Sequence, residues 1–252
     1  MNDTIESDRP NNAGVTQRIL VVHAVLIALT ALIPLPLADE AAKRHLRRRM
    51  VRQLAEVHRL KLWTDEIHAL ADESRATTAA GILRGALLLP VRFIVRKVFL
   101  LLTSSKMLSE ASKHYHHGWL LNCSFEQRWC APAGRHDARE LRRAVDAVMK
   151  GVPIASSPIT TALKAGLDQS RQGLQRLVRY LSDQLANMRE GDDSVLRQVV
   201  ERTESAEEED LGGIVERIQT AMNDVPAEHF HQLKASLAES LGETTKETRD
   251  HA

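Results

Sequence analysis

The sequence predicts an all-α protein, a helical bundle with two apolar segments in its N-terminal half, and three observations carry that expectation. Aromatic residues make up only 4% of the 252 residues, too few for an aromatic-rich β-sandwich or a base-stacking sheet. Apolar residues in the second half recur at helical steps of three and four, punctuated by Gly, Pro and Asp. Hydrophobic residues at 43% and charged residues at 27% match a globular chain, which argues against wholesale disorder and against a polytopic membrane protein.

Residues 1–14 are polar, rich in Asn and Asp, and read as a disordered lead. The region 15–112 that follows is apolar and basic by turns. Residues 19–37 carry no fixed charge, with His23 and Thr30 the polar exceptions. As a helix this stretch reaches about 28 Å, enough to cross a bilayer core. Pro34 and Pro36 end its helix-competent part near Ile33. Three readings compete. A signal peptide is opposed by the acidic lead and by the lack of an Ala-x-Ala site. A buried core helix suits the shortened run. A membrane-inserted or re-entrant helix, the favoured reading, suits the basic cluster that follows, because cations beside an apolar segment are held on the cytoplasmic side. That reading places the protein at the membrane with its C-terminal region cytoplasmic; the alternative location is the cytoplasm. Asp39 and Glu40 fall where a helix N-terminus is expected and suit its dipole.

Lys and Arg total 34 against 33 Asp and Glu, so the net charge of +1 exerts no overall pull on nucleic acid or an anionic surface. The layout is uneven. Residues 43–61 hold Lys43, Arg44, Arg47, Arg48, Arg49, Arg52, Arg59 and Lys61 against Glu56 alone, a charge of +7. Residues 190–210 hold nine acids against Arg197 and Arg202, a charge of −7. Solvated helix faces are the bland account of both runs.

The second apolar segment, residues 81–102, carries Arg84, Arg92, Arg96 and Lys97. Each central Arg costs about 2.5 to 3.5 kcal/mol in a spanning helix, so this segment does not cross comfortably. Helical spacing gathers Arg84, Arg92 and Arg96 on one side, which describes an interfacial helix with its cations against anionic lipid. Together with Arg47, Arg48, Arg49 and Arg52 these four form the expected lipid-binding set. A core hairpin broken at Pro90, and a strand over residues 92–102, are the alternatives. Gly81 and Gly85 have the small-x-x-x-small spacing of close helix pairs.

Residues 113–135 read as a loop holding His114, His116, His117, Trp119, Cys123, Trp129 and Cys130, with His136 just beyond. Imidazole and thiolate suit Zn²⁺, but Cys-x6-Cys is too long and His116-His117 too tight for paired knuckles. Neither metal nor cofactor is therefore expected, and Trp119 and Trp129 are assigned to packing the loop or to headgroup depth. Cys123 in that setting is also a candidate acylation position. Two cysteines are too few for a disulfide scaffold, so a reducing compartment is the default, although a bridge across the loop is permitted in an exported protein.

Residues 136–241 read as an amphipathic helical bundle. Leu141, Ala144, Val145 and Val148 define one helix face, which Gly151 and Pro153 terminate. Ser157 and Pro158 supply a cap and a preorganised first turn for a long helix running to about Arg189. Leu167, Leu174, Leu181 and Met188 recur every seven residues, yet Ser170 and Gln184 interrupt the seam, so packing in a bundle is preferred to a coiled coil. Gly191 to Asp193 caps a helix with Leu196, Val199 and Val200. A further helix shows Leu211, Ile214, Val215, Ile218 and Met222, and the last starts near Pro226 with Phe230, Leu233, Leu237 and Leu241. Residues 242–252 form a polar tail.

The run from Ala31 to Asp39, Ala-Leu-Ile-Pro-Leu-Pro-Leu-Ala-Asp, followed by Met50-Val51-Arg52-Gln53-Leu54-Ala55, resembles the Ile-Pro-x-Pro-x-Ala-Asp turn and following helix of a bacterial family exemplified by YcjF-type inner-membrane proteins. That family also occurs beside Era-like GTPase domains. The resemblance spans about a tenth of the chain and implies a helical, membrane-associated domain without catalytic residues of its own. The chain itself contains no GTPase motif.

Neither GxxxxGK[ST], GxGxxG, HExxH nor GxSxG occurs, so no enzyme is expected and no catalytic residue is assigned. His58 and His68 read as surface or boundary residues. The leading expectation is a membrane-associated helical protein that binds an anionic lipid surface or protein partners. The alternative is a helical adaptor or self-associating protein with both apolar segments in its core. A nucleic-acid role is not expected, because no reading motif accompanies the basic run.

Overall fold

The structure, a computed structural model, describes residues 9–30, 36–72, 105–130, 135–186 and 208–242. Among them the chain is all α: α1 (Arg9–Thr30), α2 (Pro36–Val57), α3 (Thr64–Ala71), α4 (Ser105–Glu126), α5 (Ala138–Gly151), a 3-10 turn (Ile154–Ser156), α6 (Pro158–Gln169), α7 (Arg171–Ala186), α8 (Glu208–Met222) and α9 (Ala227–Ser240). The single β feature among these residues is one bridge between Cys130 and His136. The helical bundle expected from the sequence is the observed architecture.

Helix α4 is the hub. It packs against α1, α2, α5, α6 and α9, while α8 closes the bundle against α6, α7 and α1. The large side chains at the centre include Leu20 from α1, Met50 and Leu54 from α2, Leu120, Leu121 and Phe125 from α4, and Leu141 from α5, all fully buried. Two glycines allow the closest approaches. A Cβ on Gly118 would stand 2.5 Å from Leu20 Cδ2, and one on Gly166 would stand 2.7 Å from the backbone of Ile218, so α6 and α8 meet at a separation that requires glycine.

The apolar run at residues 19–37 differs from the expectation of a spanning helix. Helix α1 starts at Arg9, inside the expected disordered lead, and ends at Thr30. From Leu20 to Leu29 every residue except Val22 is buried, covered by α2, α4 and α8. Among the described residues no helix is long and apolar enough to cross a membrane. The polar first turns of α1 and its end at Thr30 leave too short a greasy length within it.

Two more boundaries differ. The expected loop at 113–135 is mostly helix, because α4 runs to Glu126. The expected single helix from 157 to 189 is two, α6 and α7, divided at the buried Ser170. Its hydroxyl donates to the Gly166 carbonyl at 2.7 Å, the kind of local side-chain bond that competes with the helical ladder. This break removes the continuous heptad seam.

The Ser157 cap of α6, with Pro158 in its first turn, is as expected, and the structure adds a cap that was not anticipated, Asp137 accepting from the Arg139 and Glu140 amides at the start of α5. Residues 81–102, the helix expected at 194–200 and the tail beyond 242 lie outside the described residues.

Candidate functional site

The structure disperses the four cations of α2 that the sequence groups together. Consecutive residues on a helix are 100° apart, so Arg47, Arg48 and Arg49 cannot share one face. Arg47 is only 2% exposed and points inward, its Nε donating to the Lys43 carbonyl. Arg48 makes a two-pronged bond to Asp72 at the end of α3, with Nη2 2.6 Å from Oδ2 and Nε 3.1 Å from Oδ1. Arg49 is half-buried, and Arg52 alone of the four is exposed. Arg84, Arg92, Arg96 and Lys97 lie outside the described residues.

Other exposed cations take their place. Helix α2 ends in a Schellman turn, in which the Leu60 amide donates to the Ala55 carbonyl and the Arg59 amide to the Glu56 carbonyl. Arg59 occupies the left-handed position with φ +54°, where glycine is the less strained residue. Leu60 is buried as the turn's apolar contact, and the chain then runs through exposed Lys61 to Trp63. Trp63 is 78% exposed. It precedes α3, and its amide is held by Glu66 Oε2 at 2.7 Å, half of a capping box. Arg52, Arg59, Lys61 and Trp63 are thus all exposed along the last turns of α2 and the loop after it, a stretch that also exposes Glu56 and Asp65. Trp119, assigned from sequence to packing or to headgroup depth, packs on Phe230 of α9 with centroids 5.1 Å apart.

The histidine-rich stretch sits on α4, whose helical geometry sends its imidazoles toward different neighbours. His114, His116 and His117 are all buried but project toward different neighbours. His114 lies near Glu110 and the cations of α2, and burial holds it down to about 3. His117 accepts an Arg142 N–H at 3.1 Å, and Arg142 also donates to Asp146 at 3.0 Å and to the Leu70 carbonyl at 2.7 Å, joining α4, α5 and α3. Among the described residues no three of His, Cys, Asp and Glu are arranged to hold a metal. Cys123 and Cys130 are both buried and are not bridged to each other, and burial pushes the Cys123 thiol up to about 12.

His116 has a different environment. Its Nδ1–H donates to the Ser112 carbonyl at 2.7 Å, which leaves Nε2 with a lone pair. Nε2 lies 3.0 Å from Ser157 Oγ and 3.2 Å from His229 Nε2. The Ser112 and Thr160 hydroxyls lie 2.6 Å apart and tie the same place on α4 to α6. Ser157, only 1% exposed, and the half-buried His229 are among the residues lining a groove of about 580 Å³ between α5 and α9, with Val148, Val152, Pro153, Leu233, Gln232 and Ser236 along its walls. Sequence reasoning missed this cluster because 41 residues separate His116 from Ser157 and 113 separate it from His229. Only the cap motif at Ser157 was visible beforehand.

Comparison of the chain with protein-family models, with curated proteins and with solved structures finds no match.

Proposed function

We propose that the protein binds anionic membrane surfaces peripherally, through the end of α2 and the loop that follows. The observation that carries this reading is the exposure of Trp63 beside the exposed cations Arg52, Arg59 and Lys61. An indole at a protein surface leaves a large apolar area in water, and the bilayer interface suits its apolar ring and polar N–H together. Each nearby Lys or Arg adds about 1 kcal/mol against an anionic leaflet at low salt. The family resemblance in the turn and helix over residues 31–55 points to the same class of surface. The apolar helix α1 serves as core in this reading, and attachment is through the surface.

Co-sedimentation with vesicles containing phosphatidylserine tests the proposal. Binding is expected at low salt, falling as the Debye length shrinks, with release by alkaline carbonate. Trp63→Ala should weaken binding about tenfold, and Lys61→Glu with Arg52→Glu should abolish it. Equal sedimentation of wild type and these variants would overturn the reading, and retention after carbonate would return the anchor to α1. Failure to bind at low salt would leave protein partners as the use of this surface.

A further inference from the structure

We propose that Ser157 is a nucleophile for acyl groups, with His116 as its base, at the floor of the groove between α5 and α9. Three features of the cluster exceed what a helix cap needs. Capping uses Ser157 Oγ as an acceptor, here for the Ile159 amide at 3.2 Å, and leaves the hydroxyl proton free to be donated. That proton is directed to His116 Nε2 at 3.0 Å. The Ser112 carbonyl holds the imidazole in the tautomer that can accept it, the role an orienting group plays in nucleophile and base pairs. Burial lowers His116 to about 4, so the ring is neutral and able to accept at neutral pH.

The tautomer of His116 also fixes that of His229. Because His116 Nε2 carries a lone pair, the 3.2 Å contact to His229 Nε2 requires the hydrogen to be on His229. The ring centroids are 5.4 Å apart and the rings lie end to end, as in an N–H to N hydrogen bond; two ligands bent around a shared ion would bring the centroids closer. The same N–H is 3.4 Å from Ser157 Oγ. It supplies the donor that the backbone withholds, since Pro158 has no amide hydrogen and the Ile159 amide is occupied by the cap.

The chemistry follows from these placements. A carboxylic ester or thioester in the groove presents its carbonyl carbon to Ser157 Oγ. At rest the Ser157 hydroxyl and the His229 N–H share the one lone pair of His116 Nε2; the new C–O bond forms as the hydroxyl proton passes to that nitrogen, and the His229 N–H, its acceptor now protonated, turns to the carbonyl oxygen as negative charge develops there. Collapse breaks the bond to the leaving alcohol or thiol, which receives the proton from His116. Water then attacks the acyl-serine, His116 takes its proton, and the carboxylic acid departs as Ser157 regains a hydrogen. The apolar walls of Val148, Val152 and Leu233 suit a short acyl chain.

The test is to treat the full chain with a fluorophosphonate probe and with p-nitrophenyl butyrate, reading intact mass, peptide mapping and p-nitrophenol release. A single adduct on Ser157 is expected. Ser157→Ala removes only the hydroxyl from this buried position, lowers the melting temperature by the lost cap without adding bulk, and should lose both adduct and release. His116→Gln should slow labelling about 100-fold, in the range for loss of a general base. His229→Gln alters a residue at the groove mouth and should slow it about tenfold with the fold intact. An unlabelled Ser157 in folded protein, or equal labelling rates in wild type, His116→Gln and His229→Gln, would overturn the proposal and leave Ser157 as a cap alone.

Discussion

Helices α1 and α2 are neighbours of 22 residues each, opposite in composition and alike in what they bury. Helix α1 is apolar nearly all round from Leu20 to Leu29 and is covered by protein. Helix α2 carries six of the chain's cations between Lys43 and Arg52, yet Ala42, Leu46, Met50, Val51, Leu54 and Ala55 form a buried stripe at helical spacing. Arg47 falls inside that stripe and is buried with it, while Arg52, five residues on, is exposed. Position around the helix, rather than charge, decides which arginine meets water. Conversely, a run of greasy residues is an anchor only if nothing else covers it, and here three helices do.

Acid should expose the shared core of these helices with the largest effect. His23 on α1 and His116 on α4 are each lowered to about 4, mainly by burial, and His114 on α4 to about 3. In the unfolded chain all three take up protons below about 6.5, whereas the folded chain resists until near 4. Their contribution is therefore complete above pH 6.5 and is lost as pH falls toward 4. At pH 5 the loss is roughly 2 kcal/mol per histidine, which together rivals the whole stability of a typical domain. Near-UV circular dichroism should show cooperative unfolding between pH 6.5 and 5, and a melting temperature unchanged over that interval would contradict the burial of these rings.

Truncations on the two helices sharpen the contrast. Leu20→Ala removes a side chain that touches the centre of the bundle and should cost about 2 to 5 kcal/mol in urea denaturation. Arg52→Ala should stay within about 0.5 kcal/mol, as surface changes do. Equal costs would mean that α1 is not part of the core.

The smallest expected effect separates stability from surface function at one residue. Arg59→Gly relieves the φ of +54° and should raise stability by a few tenths to about 1 kcal/mol, after the entropy that glycine adds to the unfolded chain. The same change should weaken vesicle binding. A gain in both would show that Arg59 has no part in the lipid contact.

Much of the fold was legible in advance where a periodic signal or a cap was present. Leu141, Ala144, Val145 and Val148 are buried on α5 as their spacing predicts, and Leu211, Ile214, Val215, Ile218 and Met222 are buried on α8. The consecutive His114, Tyr115, His116 and His117 gave no such signal, because a stretch of helix with every successive residue buried has no polar face to reveal its period. Trp63 was equally silent: a lone tryptophan in the loop between two helices reads the same whether it packs or protrudes. The catalytic cluster proposed here drew on three separate elements, only one of them marked by a motif.

What the sequence determined by itself is therefore local: helical character, the cap and proline at the start of α6, the face each amphipathic helix turns inward, and the scarcity of β structure. These depend on contacts within a few turns of chain, which spacing encodes directly. The tertiary structure alone decided that α1 lies inside a bundle, that Arg47 is buried while Arg52 is not, and that His116, Ser157 and His229 meet. Those outcomes rest on packing between elements far apart in sequence, where the identity of the neighbour, and not the residue's own polarity, sets its burial, its hydrogen bonds and its charge.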